Sequence, residues 1–132
     1  MSAGDRVLQI CLLIGALIDG PVALLSLFAP SLLTTLFDIP VTDPTAILIG
    51  GGEFAVVTLV YVCLLVDLRR FRPLLWLVAL DQAFAVVLPA IALSRGVLPH
   101  TWKTVGPLPF SAALCIAFVW GATRRAAGTR RS

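Results

Sequence analysis

Long apolar stretches alternate with short polar ones along the whole chain. Four of the apolar stretches are long enough for a helix that crosses a hydrocarbon core about 30 Å thick, since each helical residue adds about 1.5 Å. They cover residues 7–28, 45–66, 74–93 and 105–122. The pattern predicts an all-α polytopic membrane protein, folded as a single four-helix transmembrane bundle over residues 1–132.

The start of the second span is marked by its sequence. Asp43 can cap a helix, because its carboxylate can accept hydrogen bonds from the first free backbone N–H groups. Pro44 follows at the first helical position, where a missing N–H costs nothing. The rest of this span is apolar except for Glu53, which follows the three glycines 50–52. We therefore expect a helix that begins sharply and carries one acid.

The connection between the first two spans contains no basic residue. Pro30 can begin a short helix there and Pro40 can end it. One side of that helix would collect four apolar side chains: Leu32, Leu33, Leu36 and Phe37. We predict a short amphipathic helix that lies at the membrane interface on the outer side, with a simple covered loop as the alternative.

The composition agrees with a membrane protein. Hydrophobic residues make up 59% of the 132 residues and charged residues only 13%. The mean hydropathy of +1.01 lies far above that of soluble domains. Four spans leave almost no chain for a soluble domain, so we expect membrane lipid as a partner and leave a homo-oligomer open.

The basic residues predict the orientation of the chain. Eight of the ten lysines and arginines lie at the two termini and between spans two and three, and only Arg95 and Lys103 lie on the opposite side. The positive-inside rule then places both termini in the cytoplasm, for a bacterial-type inner membrane. The net charge of +3 comes largely from the basic tail, residues 123–132. Such a tail fixes topology and contacts anionic lipid, and we expect no nucleic-acid partner.

Three of the seven acids lie inside predicted spans: Asp19, Glu53 and Asp81. Counted from the outer ends of their helices, Asp19 and Glu53 lie about 13 Å deep and Asp81 about 20 Å deep. We therefore expect Asp19 and Glu53 to be neighbours that face the bundle interior. No cation lies within the spans, so at least one of the two should hold a proton at neutral pH. Such a pair supplies an acid and a base in one pocket, and the three acids are the candidate catalytic residues.

Polar and small residues near these acids are the candidate ligand contacts. Ser26 falls on the same face of the first helix as Asp19, and Gln82 follows Asp81. The glycines 50–52 are the predicted crossing point of the second helix, because small residues let two backbones approach closely. We expect four residues to contact the substrate: Ser26, Gly50, Tyr61 and Gln82. The alternative is that the acids and Gln82 only hydrogen-bond the helices together.

The sequence contains no pattern that indicates a metal site or a cofactor site. His100 is the only histidine, and no acid or cysteine lies beside it. The three cysteines, Cys11, Cys63 and Cys115, lie in three different spans and form no CxxC pair. We expect no metal, no cofactor and no disulfide framework.

Two segments resemble a known family. Residues 29–33 read AlaProSerLeuLeu and residues 49–54 read IleGlyGlyGlyGluPhe. With four short helices, a proline-flanked loop after the first and a glycine-acid patch early in the second, the chain resembles the small bacterial membrane proteins of the DoxX and BphX type. The resemblance covers most of the chain in outline, and it implies the four-helix fold rather than an activity.

Three functions fit these features. The first is an intramembrane enzyme that isomerises, cyclises or opens an epoxide in a lipophilic small molecule by acid/base chemistry. The second is a proton-coupled exporter of hydrophobic cations, similar in size to the small multidrug resistance transporters, although those carry their glutamate in the first helix. The third is a non-catalytic subunit of a larger membrane complex. The three intramembrane acids favour the first.

Overall fold

The computed structural model describes residues 2–124, which form seven α-helices, one 3-10 turn and no strand. In chain order these are α1 Ala3–Phe28, α2 Ser31–Phe37, α3 Pro44–Val66, α4 Leu68–Phe71, the 3-10 turn Arg72–Leu74, α5 Leu75–Ser94, α6 Trp102–Val105 and α7 Pro107–Thr123. Most of the predicted basic tail, residues 125–132, lies outside the described residues.

Four segments of the structure are long and apolar enough to cross a membrane: Ala3–Phe28, Pro44–Val66, Leu68–Ser94 and Trp102–Thr123. They confirm the predicted all-α fold and fit a multi-pass membrane protein. Large apolar side chains also cover the outside of the bundle, where Leu17 is 65%, Leu59 64% and Ile116 70% exposed. An apolar outer surface of this extent is typical of a protein that contacts hydrocarbon.

The long helices α1, α3, α5 and α7 run alternately up and down, so the bundle has two ends. The arginine end carries the start of α1, the segment 67–74 and the end of α7. The loop end carries the connections 29–43 and 95–106. Along their lengths α1 packs against α3 and α5 packs against α7, while the contacts between these two pairs are fewer.

The hydrophobic core lies in the half of the bundle next to the arginine end, which we call the arginine half; the other is the loop half. Its ten buried residues are Leu8, Leu12, Tyr61, Leu64, Leu68, Leu75, Val78, Ala79, Leu114 and Phe118. The rings of Tyr61 and Phe118 meet inside it, with centroids 5.9 Å apart and planes tilted by 57°. A tilted pair is a favourable aromatic arrangement and joins α3 to α7.

Two glycines bring α1 and α3 close together. A Cβ at Gly15 would lie 2.6 Å from the ring of Tyr61, and a Cβ at Gly51 would lie 2.7 Å from the Cβ of Ser26. Of the three glycines predicted to form a crossing point, only Gly51 lies in the contact. A Cβ at Gly50 or Gly52 would meet nothing within 4 Å, because successive helix residues point about 100° apart.

The start of α3 follows the prediction. Asp43 is the N-cap, and its Oδ1 accepts hydrogen bonds from the backbone N–H groups of Thr45 at 2.9 Å and Ala46 at 3.3 Å. Pro44 occupies the first helical position. The cap satisfies two backbone donors that have no partner inside the helix.

The short helix α2 is present as predicted, but its end differs. Leu33 is buried, whereas Leu32 and Leu36 are 43% and 51% exposed, so one leucine packs into the bundle and the other two lie on its outer surface. The helix ends at Asp38, whose φ of 56° places it in the left-handed region. Short acids tolerate this conformation better than most residues do. Pro40 therefore lies beyond the end of the helix and does not cause it.

Candidate functional site

A polar cluster, buried except for Asp81 at its edge, joins three of the long helices. It consists of Asp19 from α1, Tyr61 from α3, and Asp81 and Gln82 from α5. The amide nitrogen Nε2 of Gln82 lies 3.0 Å from the Tyr61 hydroxyl, 3.2 Å from Oδ2 of Asp81 and 3.5 Å from Oδ2 of Asp19. The carboxyl groups of Asp19 and Asp81 are also near enough to interact with each other. We call these four residues the polar cluster.

The neighbouring sequence explains how the polar cluster forms. Asp19 lies on the buried face of α1 together with Gly15 and Ser26, as predicted for Asp19 and Ser26. Gly15 has no side chain, and the ring of Tyr61 fills the space that a side chain would take. The Tyr61 hydroxyl thereby reaches Gln82 on the third long helix. Gly15, one turn before Asp19, thus makes the space that lets Tyr61 join the polar cluster.

The polar cluster has fewer hydrogen-bond donors than acceptors. The NH₂ group of Gln82 has two hydrogens for three neighbouring acceptors, and its Oε1 has no partner among the described residues. The two ion pairs in the described part of the chain, Arg72–Asp5 and Lys103–Asp38, lie elsewhere. A protonated carboxyl group in the cluster would supply the missing donor, because its O–H can donate to an amide oxygen.

A cleft of about 300 Å³ opens beside the polar cluster, between α3 and α5. Its lining residues are Glu53, Phe54, Asp81, Phe84, Ala85, Leu88 and Pro89. We call it the α3–α5 cleft. Phe84 and Leu88 are 52% and 59% exposed, so the cleft faces the outer apolar surface of the bundle. Asp81 belongs both to the wall of this cleft and to the polar cluster.

Glu53 and Asp81 lie at opposite ends of the α3–α5 cleft. The hydrogen bond between Tyr61 and Gln82 sets the level at which the two helices face each other. Because the helices run in opposite directions, Glu53 lies level with Pro89, roughly 12 Å or slightly more than two turns from Asp81. Asp81 therefore forms the deep end of the cleft, and Glu53 the end nearer the loops.

The structure does not bring Asp19 and Glu53 together as the sequence predicted. Ser26 packs against Gly51, and this contact places Glu53 about one and a half turns nearer the loop end than Asp19. Asp19 and Glu53 are equally far from the loop ends of their own helices. They nevertheless lie at different depths, because α3 begins beyond the end of α1. Glu53 is also exposed rather than turned to the bundle interior. The carboxyl partner of Asp19 is Asp81.

The predicted ligand contacts divide into two groups. Tyr61 and Gln82 belong to the polar cluster. Ser26 and Gly50 do not: the Ser26 hydroxyl donates to the carbonyl oxygen of Val22 in its own helix, at 2.8 Å, and Gly50 faces open space. Tyr61 and Gln82 are buried and do not line the α3–α5 cleft, so contact of any of the four residues with a ligand stays a prediction.

The polar cluster is closed toward the arginine end. Leu12, Leu64, Val78 and Phe118 lie on that side, and each is completely buried. The open approach to Asp81 is therefore the α3–α5 cleft. A molecule that enters it comes from the outer apolar surface or from the loop end.

Sequence reasoning missed the apolar walls of the cleft. Phe84 and Leu88 follow Asp81 by three and seven residues, which places all three on one face of α5. Phe54 directly follows Glu53 on α3. The helical spacing around Asp81 was the signal that could have identified this face, since it combines an acid with large apolar side chains.

Comparison with known proteins gives no match. No protein-family model, no curated protein and no solved structure matches the chain. The resemblance to DoxX and BphX type proteins therefore stays a prediction. Within residues 2–124, no group of three histidine, cysteine, aspartate or glutamate side chains could hold a metal ion. The polar cluster and the cleft beside it are the features of the described residues that bear on function.

Proposed function

We propose that this chain is a small membrane enzyme that binds a lipophilic molecule in the α3–α5 cleft and carries out acid/base chemistry on it at Asp81. The observation that supports this most directly is the double position of Asp81. Its side chain lines an apolar cleft, and it is hydrogen-bonded to an amide that also contacts Asp19 and Tyr61. A ligand in the cleft would therefore meet a carboxyl group that is backed by a second carboxyl group.

The chemistry of this arrangement is proton transfer without a net change in proton number. Protonated Asp81 gives its proton to an alkene or epoxide of the substrate. The resulting carboxylate takes a proton back from a neighbouring carbon, so the product is an isomer or a cyclised form of the substrate. Asp19 acts as a positioning residue, because it is 5% exposed and reaches the substrate only through Asp81 and Gln82.

The orientation of the chain supports a substrate that comes from the membrane. Five described arginines collect at the arginine end: Arg6, Arg69, Arg70, Arg72 and Arg124. By the positive-inside rule this end faces the cytoplasm of a bacterial-type inner membrane. The α3–α5 cleft then opens near the middle of the bilayer, where a lipophile can enter sideways.

The proposal is tested by purifying the wild type and Asp81→Asn from the same host in mild detergent. Bound lipophiles are extracted, separated by chromatography and identified by mass spectrometry. We expect a discrete lipophile in both proteins, with the unreacted isomer, of equal mass and different retention, enriched in Asp81→Asn. Asp5→Asn is the control, since it removes a carboxylate at the arginine end. The same isomer ratio in all three proteins would overturn the proposal.

A non-catalytic subunit of a membrane complex is the second candidate, and one observation favours it. Gly50 and the exposed Glu53 lie about one turn apart on the same face of α3, and a Cβ at Gly50 would meet nothing within 4 Å. Such an uncovered face with a small residue suits another helix. Proton-coupled export gains less support, because the buried apolar core closes the path from Asp81 to the arginine end.

A further inference from the structure

Glu53 stands apart from the other acids of the chain. Asp5 and Asp38 form ion pairs, Asp43 and Asp67 cap helices, and Asp19 and Asp81 belong to the polar cluster. Glu53 has no hydrogen bond and no ion pair with any described residue. It is exposed at the end of the α3–α5 cleft that lies nearer the loops.

The position of Glu53 makes an isolated carboxylate costly. Glu53 lies nine residues into α3, which corresponds to about 13 Å from the start of that helix. A carboxylate at this depth in hydrocarbon is unfavourable unless an opposite charge or a proton compensates it. In the described part of the chain no lysine or arginine does so. A ligand with a positive charge could.

The wall of the cleft suits the rest of such a ligand. Phe54 adjoins Glu53 and Phe84 lies on the facing helix, and aromatic faces attract cations in addition to packing with alkyl chains. The remaining wall residues, Ala85, Leu88 and Pro89, carry no polar side chain. A volume of about 300 Å³ has room for roughly ten methylene-sized groups, if each takes about the 30 Å³ of a water molecule.

The deep end of the cleft favours a different kind of group. Asp81 already accepts a hydrogen bond from Gln82 and interacts with the carboxyl of Asp19. The buried Oε1 of Gln82 has no partner in the described residues and needs a donor. These two features suit a cluster that shares a proton, so a cation finds its complement at Glu53 rather than at Asp81.

We infer that Glu53 anchors the head of the bound lipophile, and that this head is an ammonium group with the reacting part of the molecule about two helical turns deeper, at Asp81. The inference rests on the proposed function for the role of Asp81. It assigns Glu53 to substrate specificity rather than to proton transfer, and it names the substrate class as an amphiphilic amine with an apolar chain of roughly ten carbons.

The test compares three probes that share one chain and differ in the head group: decylamine, decanol and decanoic acid. Binding to the full chain is measured by native mass spectrometry in nanodiscs of zwitterionic lipid at neutral pH. We expect decylamine to bind at least about tenfold more tightly than decanol, and decanoic acid to bind most weakly. In Glu53→Gln the preference for decylamine over decanol should disappear.

Two further variants decide where the head lies. Asp43→Asn removes a charge from the same helix and retains the cap, since asparagine also caps helices, and it should keep the preference. Asp81→Asn should keep it too. An absent preference in the wild type, a preference that survives Glu53→Gln, or one that Asp81→Asn alone abolishes would each overturn the inference.

The outcome separates this inference from the proposed function. If the head-group preference is absent while Asp81→Asn still accumulates unreacted lipophile, the enzyme acts on a different substrate class and only the inference fails. If the preference follows Glu53 while the isomer ratio is unchanged in Asp81→Asn, the cleft binds amines without converting them, and only the proposed function fails.

Discussion

The arginine half and the loop half of this bundle are held together in different ways. In the arginine half, ten buried residues from the four long helices and α4 form one core, with Tyr61 and Phe118 in contact inside it. In the loop half, α3 and α5 leave an open cleft, and a carboxylate, Glu53, lies exposed beside it. The arginine half therefore supplies most of the buried apolar packing, whereas the loop half leaves an open space between two of its helices.

The polar cluster lies at the boundary between these halves. Tyr61 shows this best, because its ring packs on Phe118 in the core and its hydroxyl contacts Gln82 in the cluster. A closed core beneath the carboxyl groups keeps them in place and excludes water from that side. The following predictions test whether the two halves are as different as the structure indicates.

The largest expected effect comes from the core of the arginine half. Phe118→Ala should lower the free energy of unfolding by about 3–5 kcal/mol, because it leaves a cavity against Tyr61. Ile116 lies two residues away on the same helix and is 70% exposed, so Ile116→Ala should cost little in comparison. Unfolding in mixed micelles at increasing dodecyl sulfate measures both. Equal losses would contradict a core confined to the interior of the arginine half.

The second prediction concerns the close contact that places Tyr61. Gly15→Ala should destabilise the protein by about 2 kcal/mol, since the new Cβ would meet the buried ring at 2.6 Å. Gly50→Ala is the matched control, because its Cβ meets open space. The control should be neutral or stabilising, as alanine favours helix more than glycine does by up to about 1 kcal/mol. If Gly50 and not Gly15 made the contact, the same unfolding measurement would show the larger loss of stability for Gly50→Ala.

The fold was predictable from the sequence because its signals are local. Four apolar runs define the long helices, and the pair Asp43–Pro44 marks the start of α3 through hydrogen bonds within a single turn. Each of these features depends on residues that are neighbours in the chain. The end of α2 was harder to predict, because the left-handed conformation of Asp38, and not the more obvious Pro40, stops the helix.

The arrangement of the site was less predictable, because it depends on the relative heights of the helices. Asp19 and Glu53 have similar distances from the ends of their own helices, but the contact of Ser26 with Gly51 shifts α3 by about one and a half turns. Asp81 therefore takes the place beside Asp19 that Glu53 was expected to fill. The sequence identified the acids and Gln82 as candidates, but it contains no local signal for the register between two helices.

The third prediction addresses the polar cluster itself. Gln82→Met keeps the length of the side chain and removes its amide, so the buried Tyr61 hydroxyl and two carboxyl groups lose a donor. We expect a loss of about 1–3 kcal/mol in the free energy of unfolding. Gln9→Met is the control, since Gln9 lies at the arginine end outside the core and should change stability little. A neutral Gln82→Met would mean that the cluster does not support the fold.

Combining Gln82→Met with Asp19→Asn tests which of its neighbours Gln82 acts through. If Gln82 stabilises the protein mainly by donating to the two acids, the effects of the single substitutions should not add, because both remove parts of one network. Additive effects would instead indicate that the Gln82 amide acts through Tyr61 alone.

The smallest expected effect is at the two ends of the bundle. Arg72 contacts Asp5 at 3.4 Å at the arginine end, and Lys103 contacts Asp38 at 3.3 Å at the loop end. The side chains of both pairs are 17–31% exposed, so Asp5→Asn and Asp38→Asn should each cost less than about 1 kcal/mol, and less at high salt. Unfolding of both variants at low and high salt checks this. A much larger cost for Asp5→Asn alone would mean that an ion pair, and not only the apolar core, closes the arginine half.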